Sequence, residues 1–270
     1  MSDRSLEGQV ALVTGAGRGL GRAFAERLAA LGCSIAVHGM REHGPSEYGG
    51  TTTLSDVAQA IAATHGVRTV KVLGDLTRMN DIERTVSTTA AELGPIDVLV
   101  HNAGGDIAAA GGKPDPNDVV HIKPEDVRAV IDRNLLSTIF VCQQVAIGMM
   151  ERRRGRIVTI GSVAAFKGRT NGSIYATAKA GAMHFTRCLA DQMRPYGVTV
   201  NTIAPGDTRT ERFLATRVVD SARLAEDGTL DRIATVDEVA RVVEFFAGPM
   251  GAFVSGQVIR IDGGGQAWPA

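Results

Sequence analysis

Short apolar runs alternate along the chain with longer segments in which apolar residues recur at helical spacing. The runs predicted as strands are 10–13, 35–37, 69–73, 96–100, 156–160, 198–201 and 257–261. Helices are predicted between them, over about 20–31, 54–64, 79–93, 125–151, 173–193 and 236–246. Parallel neighbouring strands need right-handed helical crossovers, so this order predicts one α/β domain over 1–270. Its sheet is doubly wound, parallel and seven-stranded, with helices on both faces.

Two segments interrupt this alternation. Residues 41–53 and 104–124 are rich in glycine, proline and polar side chains, and both are longer than usual strand-to-helix connections. Each follows a predicted strand and therefore lies at the carboxyl edge of the sheet, where open α/β sheets bind ligands. They are either surface insertions or parts of a ligand site, and the pattern leaves both interpretations open.

Charge and cysteine content exclude several classes of partner. The 29 Lys and Arg residues balance 29 Asp and Glu residues, so no net field attracts nucleic acid or an anionic membrane. Cys33, Cys142 and Cys188 are far apart, and the histidines show no metal-ligand spacing. No apolar run is long enough to span a bilayer. We therefore expect a cytoplasmic protein that holds no metal and acts on a small molecule.

A glycine-rich turn joins the first predicted strand to the first predicted helix. It reads Thr14-Gly15-Ala16-Gly17-Arg18-Gly19-Leu20-Gly21. A pyrophosphate can rest on the free N–H groups of a helix that follows such a turn. Gly15 allows the tight turn, Gly19 lets the backbone approach a phosphate, and Gly21 lets helix and sheet pack closely. The strict Gly-x-Gly-x-x-Gly pattern fails, and other tight turns share these glycines, so the motif needs support from elsewhere.

The end of the second predicted strand bears on the choice of cofactor. An acid there bonds the ribose 2′-hydroxyl of NAD and repels the 2′-phosphate of NADP. This strand ends in His38-Gly39-Met40-Arg41, with no acid before Glu42. Arg18 and Arg41 can converge on a phosphate. We therefore predict a preference for NADP(H), with NAD(H) as the alternative if both arginines are merely solvated.

Four polar residues in the second half form a candidate catalytic set. Tyr175 and Lys179 share one face of a predicted helix, where the ammonium favours the phenolate and makes the phenol usable as a general acid or base. Ser162 follows a strand at the same sheet edge, and its hydroxyl can donate to a carbonyl oxygen. Asn134 lies inside a long predicted helix, an unfavourable place for Asn unless its side chain or a local kink has a use.

Together these motifs resemble the classical short-chain dehydrogenase/reductase family, from Gly8 to Gly264. The glycine turn matches the family's Thr-Gly-x-x-x-Gly-x-Gly, and residues 101–104 match most of its Asn-Asn-Ala-Gly, with His101 in place of the first Asn. The candidate catalytic set matches the family's tetrad at normal spacing. The resemblance implies a Rossmann-type fold, a homotetramer and hydride transfer between NAD(P) and a secondary alcohol or ketone.

The resemblance also implies roles for individual residues. Tyr175 exchanges a proton with the substrate oxygen, Ser162 orients and polarises that oxygen, and Lys179 holds the nicotinamide ribose and lowers the pKa of the tyrosine. Asn134 supports a water relay. The residues implied in cofactor binding are Gly15, Arg18, Gly19, Leu20, Gly39, Arg41, Asp75, Leu76, Asn102, Ala103, Gly104, Tyr175, Lys179, Pro205, Gly206, Thr208 and Thr210.

The sequence indicates the type of reaction more closely than it indicates the substrate. Residues 207–228 are expected to form a lid, and the insertion 105–124 can add polar contacts; their mixed side chains slightly favour a polyol, a sugar or a hydroxy acid. A 3-oxoacyl-thioester reductase is the alternative enzyme. A non-catalytic sensor of the dinucleotide and a structural assembly protein are alternatives of other classes. Trp268, in the C-terminal tail, can pack across a subunit interface.

Overall fold

Parallel strands form one central sheet in the computed structural model, which describes residues 4–224 and 228–267. The strands are β1 (Val10–Thr14), β2 (Ser34–Gly39), β3 (Thr69–Leu73), β4 (Val98–His101), β5 (Gly155–Ile160), β6 (Val198–Pro205) and β7 (Val258–Ile261). They lie in the order β3-β2-β1-β4-β5-β6-β7, and each neighbouring pair is parallel. The predicted doubly wound, seven-stranded sheet is confirmed. Trp268 lies outside the described residues.

Helices cover both faces of this sheet. They are α1 (Gly19–Ala30), α2 (Leu54–His65), α3 (Met79–Leu93), α4 (Pro124–Ile131), α5 (Ser137–Arg152), α6 (Ser173–Met193), α7 (Glu211–Thr216) and α8 (Val236–Ala247). One apolar cluster packs Phe24 of α1 and Phe246 of α8 against Val13. The other packs Met149 of α5 against Leu12. Successive strand residues point to opposite faces of the sheet, and helices cover both faces. The strands therefore carry apolar side chains on both sides.

The order of the strands creates a crevice at the carboxyl edge. β1 pairs with β2 on one side and with β4 on the other, so the chain reverses its winding direction between β1 and β4. Open α/β sheets bind ligands at such a switch point. The glycine turn after β1 and residues 102–104 after β4 therefore meet there. Within the described residues, no helix has the length and apolar character needed to cross a membrane.

The long helix predicted over 125–151 is interrupted. A π-helical turn, Asp132–Leu136, separates α4 from α5. Side chains satisfy carbonyls at this turn: Asn134 Nδ2 donates to Val130 O (2.8 Å), Ser137 Oγ to Arg133 O (2.7 Å), and Thr138 Oγ1 to the carbonyl of Asn134 (2.8 Å). Single π turns often mark functional sites. This π turn is the local irregularity that an Asn inside the predicted helix indicates.

Two other segments differ from their predicted forms. β6 continues to Pro205, four residues beyond its predicted end, because it stays paired with β7 up to the register pair Pro205 and Ile261. The stretch between the predicted strand 198–201 and the predicted helix 236–246, to which no element was assigned, contains α7 and a 3₁₀ turn at Ser221–Leu224. Thr210 caps α7, its Oγ1 accepting from Phe213 N at 3.2 Å. So short a helix gives little periodic signal.

Candidate active site

Two cavities adjoin at the carboxyl edge, next to the switch point. The outer cleft runs from the glycine turn to Asp75 and has a volume of about 530 Å³. The inner cavity, of about 390 Å³, is lined by Ser162, Tyr175 and Lys179. Residues that line both are Leu20, Asn102, Gly104, Thr210 and Arg212. A ligand can therefore extend from the outer cleft into the inner cavity.

The glycine turn leaves no room for side chains. Gly15 (φ +64°) and Gly19 (φ +52°) adopt left-handed conformations that L side chains rarely take. A Cβ on Gly21 would lie 2.6 Å from Asn102 Nδ2 and closer still to the carbonyl oxygen of Gly15. Asn102 Nδ2 donates to the carbonyls of Thr14 and Gly15 at 3.2 Å each. The turn is thus fixed against the end of β4.

Arg18 precedes α1 and lines the outer cleft. It provides no side-chain cap, so the first N–H groups of the helix are available to an anion. Its Nη2 donates to Glu47 Oε2 at 2.7 Å, and its guanidinium lies 4.3 Å above the Tyr48 ring. Its Nη1 is buried and has no hydrogen-bond partner among the described residues. Segment 41–53 therefore contributes to a wall of the cleft, which favours the interpretation as part of a ligand site.

The end of β2 has no acid placed to bond a ribose. Glu42 Oε2 lies 2.9 Å from Lys71 Nζ, and Glu42 Oε1 accepts from Ser55 N at 3.0 Å. Arg41 lines the outer cleft and, in the described part of the chain, forms no ion pair. Arg18, in contrast, is already paired with Glu47. The predicted convergence of both arginines on a phosphate therefore rests mainly on Arg41.

His38 of β2 braces the outer cleft, a role that the sequence analysis missed. Its Nδ1 accepts from Gly15 N (3.3 Å) and its Nε2 donates to Gly74 O (3.1 Å). This pattern requires the neutral imidazole with its proton on Nε2. Burial lowers the pKa of His38 to about 4. The glycine turn and the segment that carries Asp75 are thus linked by one side chain. A histidine inside an otherwise apolar buried strand was the available signal.

Asn134 lies behind the inner cavity. Its Oδ1 accepts from Gly105 N (2.8 Å), and its Nδ2 donates to Gly105 O (2.9 Å) as well as to Val130 O. The side chain is fully buried. The amide oxygen and the amide nitrogen of Asn134 are therefore both hydrogen-bonded, and they fix the backbone that follows β4. Asn134 is not one of the described residues that line either cavity.

Tyr175, Ser162 and Lys179 meet in the inner cavity. Lys179 Nζ donates to Ile160 O at 2.7 Å and lies 5.8 Å from the centre of the Tyr175 ring. Burial lowers the pKa of Lys179 to about 8. Burial raises the pKa of Tyr175, while its interaction with the Ser162 hydroxyl lowers it by less. Desolvation thus dominates the pKa of Tyr175, and the lysine ammonium is directed at a carbonyl; the lowering of that pKa by Lys179 stays a prediction.

The remaining predicted cofactor residues all line one of the cavities. The outer cleft includes Gly39, Arg41, Asp75, Leu76, Ala103 and Gly104, and the inner cavity includes Pro205, Gly206 and Thr208. Asp75 Oδ1 accepts from the backbone and hydroxyl of Thr77 (3.0 and 2.8 Å). Lining residues that the sequence analysis did not select are Glu47, Asp106, Arg133 and Arg212. Glu47, Asp106 and Arg212 lie in the segments 41–53, 105–124 and 207–228 that the sequence had already marked, whereas nothing local marks Arg133.

A family model described as short chain dehydrogenase matches residues 9–217. This chain belongs to the short-chain dehydrogenase/reductase family. As such it is an NAD(P)-dependent oxidoreductase that acts on CH–OH or C=O groups, as predicted. Membership of this family gives no support to the two alternatives that are not enzymes, a sensor of the dinucleotide and a structural assembly protein.

Relatives of the dehydrogenase act on different substrates. It is 36% identical over 269 residues to a cyclohexanol dehydrogenase of Rhodococcus sp. (strain TK6), covering 96% of each chain. It is 34% identical over 260 residues to the 3-oxoacyl-[acyl-carrier-protein] reductase FabG of Escherichia coli K12, covering 96% of this chain and 98% of that one. A solved 7α-hydroxysteroid dehydrogenase complexed with NADH and 7-oxo glycochenodeoxycholic acid matches with a TM-score of 0.82 at 26% identity, covering 98% and 96% of the two chains.

We expect acid to destabilise the dehydrogenase through two buried histidines. Burial lowers the pKa of His38 to about 4 and that of His101 to about 3. Unfolded histidine titrates near ~6.5, so the unfolded state binds more protons as the pH falls below that value. The two neutral histidines should therefore make their full contribution to the free energy of unfolding above about pH 6.5. This contribution should decrease toward about pH 4, by up to about 1.4 kcal/mol per pH unit for each histidine.

Urea unfolding of the His101→Asn variant between pH 7 and 4 checks this expectation. Asn is the residue that the family motif has at this position, so we expect a folded variant with a shallower decline. Exposed His184 provides the matched control, and His184→Asn should leave the slope unchanged. An undiminished slope in His101→Asn would show that this histidine is not a source of the acid sensitivity.

Proposed function

We propose that the dehydrogenase transfers hydride between NADP(H) and the secondary alcohol or ketone of a small, polar substrate: a polyol, a sugar or a hydroxy acid. The observation that carries this proposal is the meeting of Tyr175, Ser162 and Lys179 in a cavity with a polar wall. That wall includes Asp106, Lys113 and other charged residues. The cavity shares five lining residues with the outer cleft, which supports the exchange of hydride and proton at one carbon and its oxygen.

The outer cleft fits a dinucleotide. The absence of side chains at Gly15, Gly19 and Gly21 lets phosphate approach the backbone, and the buried Nη1 of Arg18 lacks a partner among the described residues, as expected of a group that binds an anion. Asp75 lies at the far end of the cleft, suited to an adenine. When bound, the nicotinamide supplies or accepts the hydride.

The proton is handled by the chain itself. We assign Tyr175 as the group that donates it to the carbonyl oxygen in reduction and accepts it in oxidation. Ser162 donates to the same oxygen and positions it. Lys179, anchored on Ile160 O, is placed to hold a ribose hydroxyl, and Asn134 keeps the Gly105 backbone in position behind the substrate. Residues 207–228 serve as the lid, of which 225–227 lie outside the described residues.

A panel of alcohols and ketones tests this proposal. Oxidation of polyols, sugars, hydroxy acids and cyclohexanol is followed through the absorbance of the reduced cofactor. We expect kcat/KM to be highest for a polar secondary alcohol. Preference for a purely apolar alcohol would contradict the substrate class.

Reduction of a 3-oxoacyl thioester is the second candidate function. It is favoured by the FabG relatives and by the apolar surface of the lid, where Leu214 and Val218 are exposed and Phe213 lines the inner cavity. Kinetics with 3-oxoacyl thioesters beside the panel separates the two candidates, since one class should exceed the other in kcat/KM.

The preference for NADP(H) is tested at Arg41. The proposal rests on the absence of an acid directed at the ribose and on the unpaired charge of Arg41 within the described part of the cleft. Arg41→Glu should raise KM for NADP by at least about tenfold, because it removes a phosphate partner and adds repulsion, and should change KM for NAD by less than about threefold.

Arg22→Ala is the matched control, since Arg22 lies on α1 paired with Glu26 at 2.8 Å. It should leave both KM values unchanged. A wild-type enzyme with the lower KM for NAD, and no selective loss in Arg41→Glu, would favour the NAD(H) alternative.

We also propose that the enzyme is a cytoplasmic homotetramer. Phe253 and Met250 are largely exposed before β7, and Ile147 is exposed on α5. Exposed apolar patches of this kind often mark subunit contacts. The free thiols of Cys33, Cys142 and Cys188 are compatible with a reducing compartment.

A further inference from the structure

The charges that line the inner cavity are unevenly balanced. Asp207 pairs with Arg217, whose Nη1 lies 2.7 Å from Asp207 Oδ1. The other lining acid, Asp106, accepts from Asn117 Nδ2 at 2.8 Å through its Oδ2. The cations that remain without a carboxylate partner in the described part of the chain are Lys113, Arg169, Lys179 and Arg212, of which Lys179 is held by Ile160 O. The cavity wall therefore carries a net positive charge.

Arg212 is the best placed of these cations. It is partly buried, and it lines both the inner cavity and the outer cleft. Its Nη2 donates to the backbone carbonyl of Asp106 at 3.0 Å. Its Nη1 lies so close to Gly105 that a side chain there would collide with it. Gly105 is the residue held by Asn134, so the guanidinium is fixed beside the catalytic set.

The charge of Arg212 also acts on the pKa of Tyr175. Among the charged side chains that act on the pKa of Tyr175, Arg212 has the largest effect and lowers it; Arg169 acts in the same direction, while Asp106 opposes them. The Arg212 guanidinium therefore lies within electrostatic range of the Tyr175 phenol. A guanidinium has five N–H donors in a planar fork that matches a carboxylate. The hydrogen bond to Asp106 leaves most of these donors for a ligand.

We propose that Arg212 binds a carboxylate of the substrate, so that among the polar substrates the enzyme selects a hydroxy acid over a neutral polyol or sugar. This inference rests on the proposed function, since it names the substrate class of the same site. Arg169 provides a second cation at the cavity wall. A competing role for Arg212 is contact with the cofactor pyrophosphate, because the residue also lines the outer cleft.

Paired acids and amides test the inference. Lactate, 3-hydroxybutyrate and gluconate are compared with lactamide, 3-hydroxybutyramide and gluconamide, which lack the charge. We expect Arg212→Gln to lower kcat/KM for the best acid by about 10- to 100-fold more than for its amide, which shares any effect of the lost charge on Tyr175. Arg212→Lys should recover part of the loss, because it restores the charge without the fork. Arg241→Gln, on exposed α8 surface, is the control.

Fluorescence titration of NADPH distinguishes the competing role. The Kd of NADPH should be the same in wild type and Arg212→Gln; a loss confined to this Kd would assign Arg212 to the cofactor and overturn the inference. Equal losses for acids and amides, or wild-type activity on neutral alcohols alone, would overturn it too while leaving the proposed function intact. Failure of the wild type to oxidise any alcohol of the panel would overturn both.

Discussion

We expect the replacement of Tyr175 with Phe to lower kcat by about 10²- to 10⁴-fold, the usual contribution of a general acid or base. Phe keeps the ring and its packing and removes only the oxygen that we propose exchanges the proton. Because Lys179 is anchored on Ile160 O rather than on the phenol, its position should persist in the variant. The Kd of NADPH, measured by fluorescence, should therefore stay within about twofold of the wild-type value.

Tyr196→Phe is the matched control for this change. Tyr196 lies in the 3₁₀ turn Arg194–Tyr196, with its ring 5.9 Å from the guanidinium of Arg153. Its variant should retain wild-type kcat. Near-normal turnover in Tyr175→Phe would remove the tyrosine from the reaction, and a large loss in Tyr196→Phe would show that the assay reports structural damage.

Gly21→Ala should abolish cofactor binding and destabilise the fold. In an exposed helix such a change stabilises by up to ~1 kcal/mol. At Gly21 the new Cβ would lie 2.6 Å from Asn102 Nδ2 and closer to the Gly15 carbonyl, so the glycine turn and the end of β4 must separate. Overpacking of this kind costs roughly 1–3 kcal/mol, occasionally more. Urea unfolding and NADPH titration measure the two effects.

Gly148→Ala on α5 provides the comparison. The nearest atom to a Cβ there is Arg152 Nη1, at 3.1 Å, at the end of a side chain whose Nη2 donates to Ile96 O. This variant should unfold at the same or higher urea concentration and bind NADPH normally. If Gly21→Ala behaves like Gly148→Ala, the close packing of turn, helix and strand is not what shapes the outer cleft.

The fold could be predicted because its signals are local and periodic. The bounds predicted for β3, α3 and α6 match those observed, since a capping residue, a glycine or a proline marks the ends of most such segments. The break at Asp132–Leu136 was only partly predictable. Asn134 indicated a use for its side chain, but a π turn depends on which carbonyls the side chains of the next turn can satisfy.

The candidate site was predictable where it depends on sequence motifs and not where it depends on packing. The glycine turn, Tyr175 and Lys179 stand in fixed spacings, and the structure places them at the adjoining cavities. The pairing of Arg18 with Glu47 and the placement of Arg212 over Gly105 join segments far apart in the chain. The raised pKa of Tyr175 could not be predicted for the same reason, because burial is a tertiary property that spacing does not report.

Proton exchange between the Tyr175 phenol and the substrate oxygen, beside a bound dinucleotide, can be tested with a crystal structure of the wild-type enzyme with reduced cofactor and a non-reacting secondary alcohol. We expect the Tyr175 Oη about 2.6–3.2 Å from the alcohol oxygen, the distance of a proton-transfer hydrogen bond, with Ser162 Oγ on the same oxygen. An alcohol oxygen bound elsewhere, out of reach of Tyr175, would contradict it.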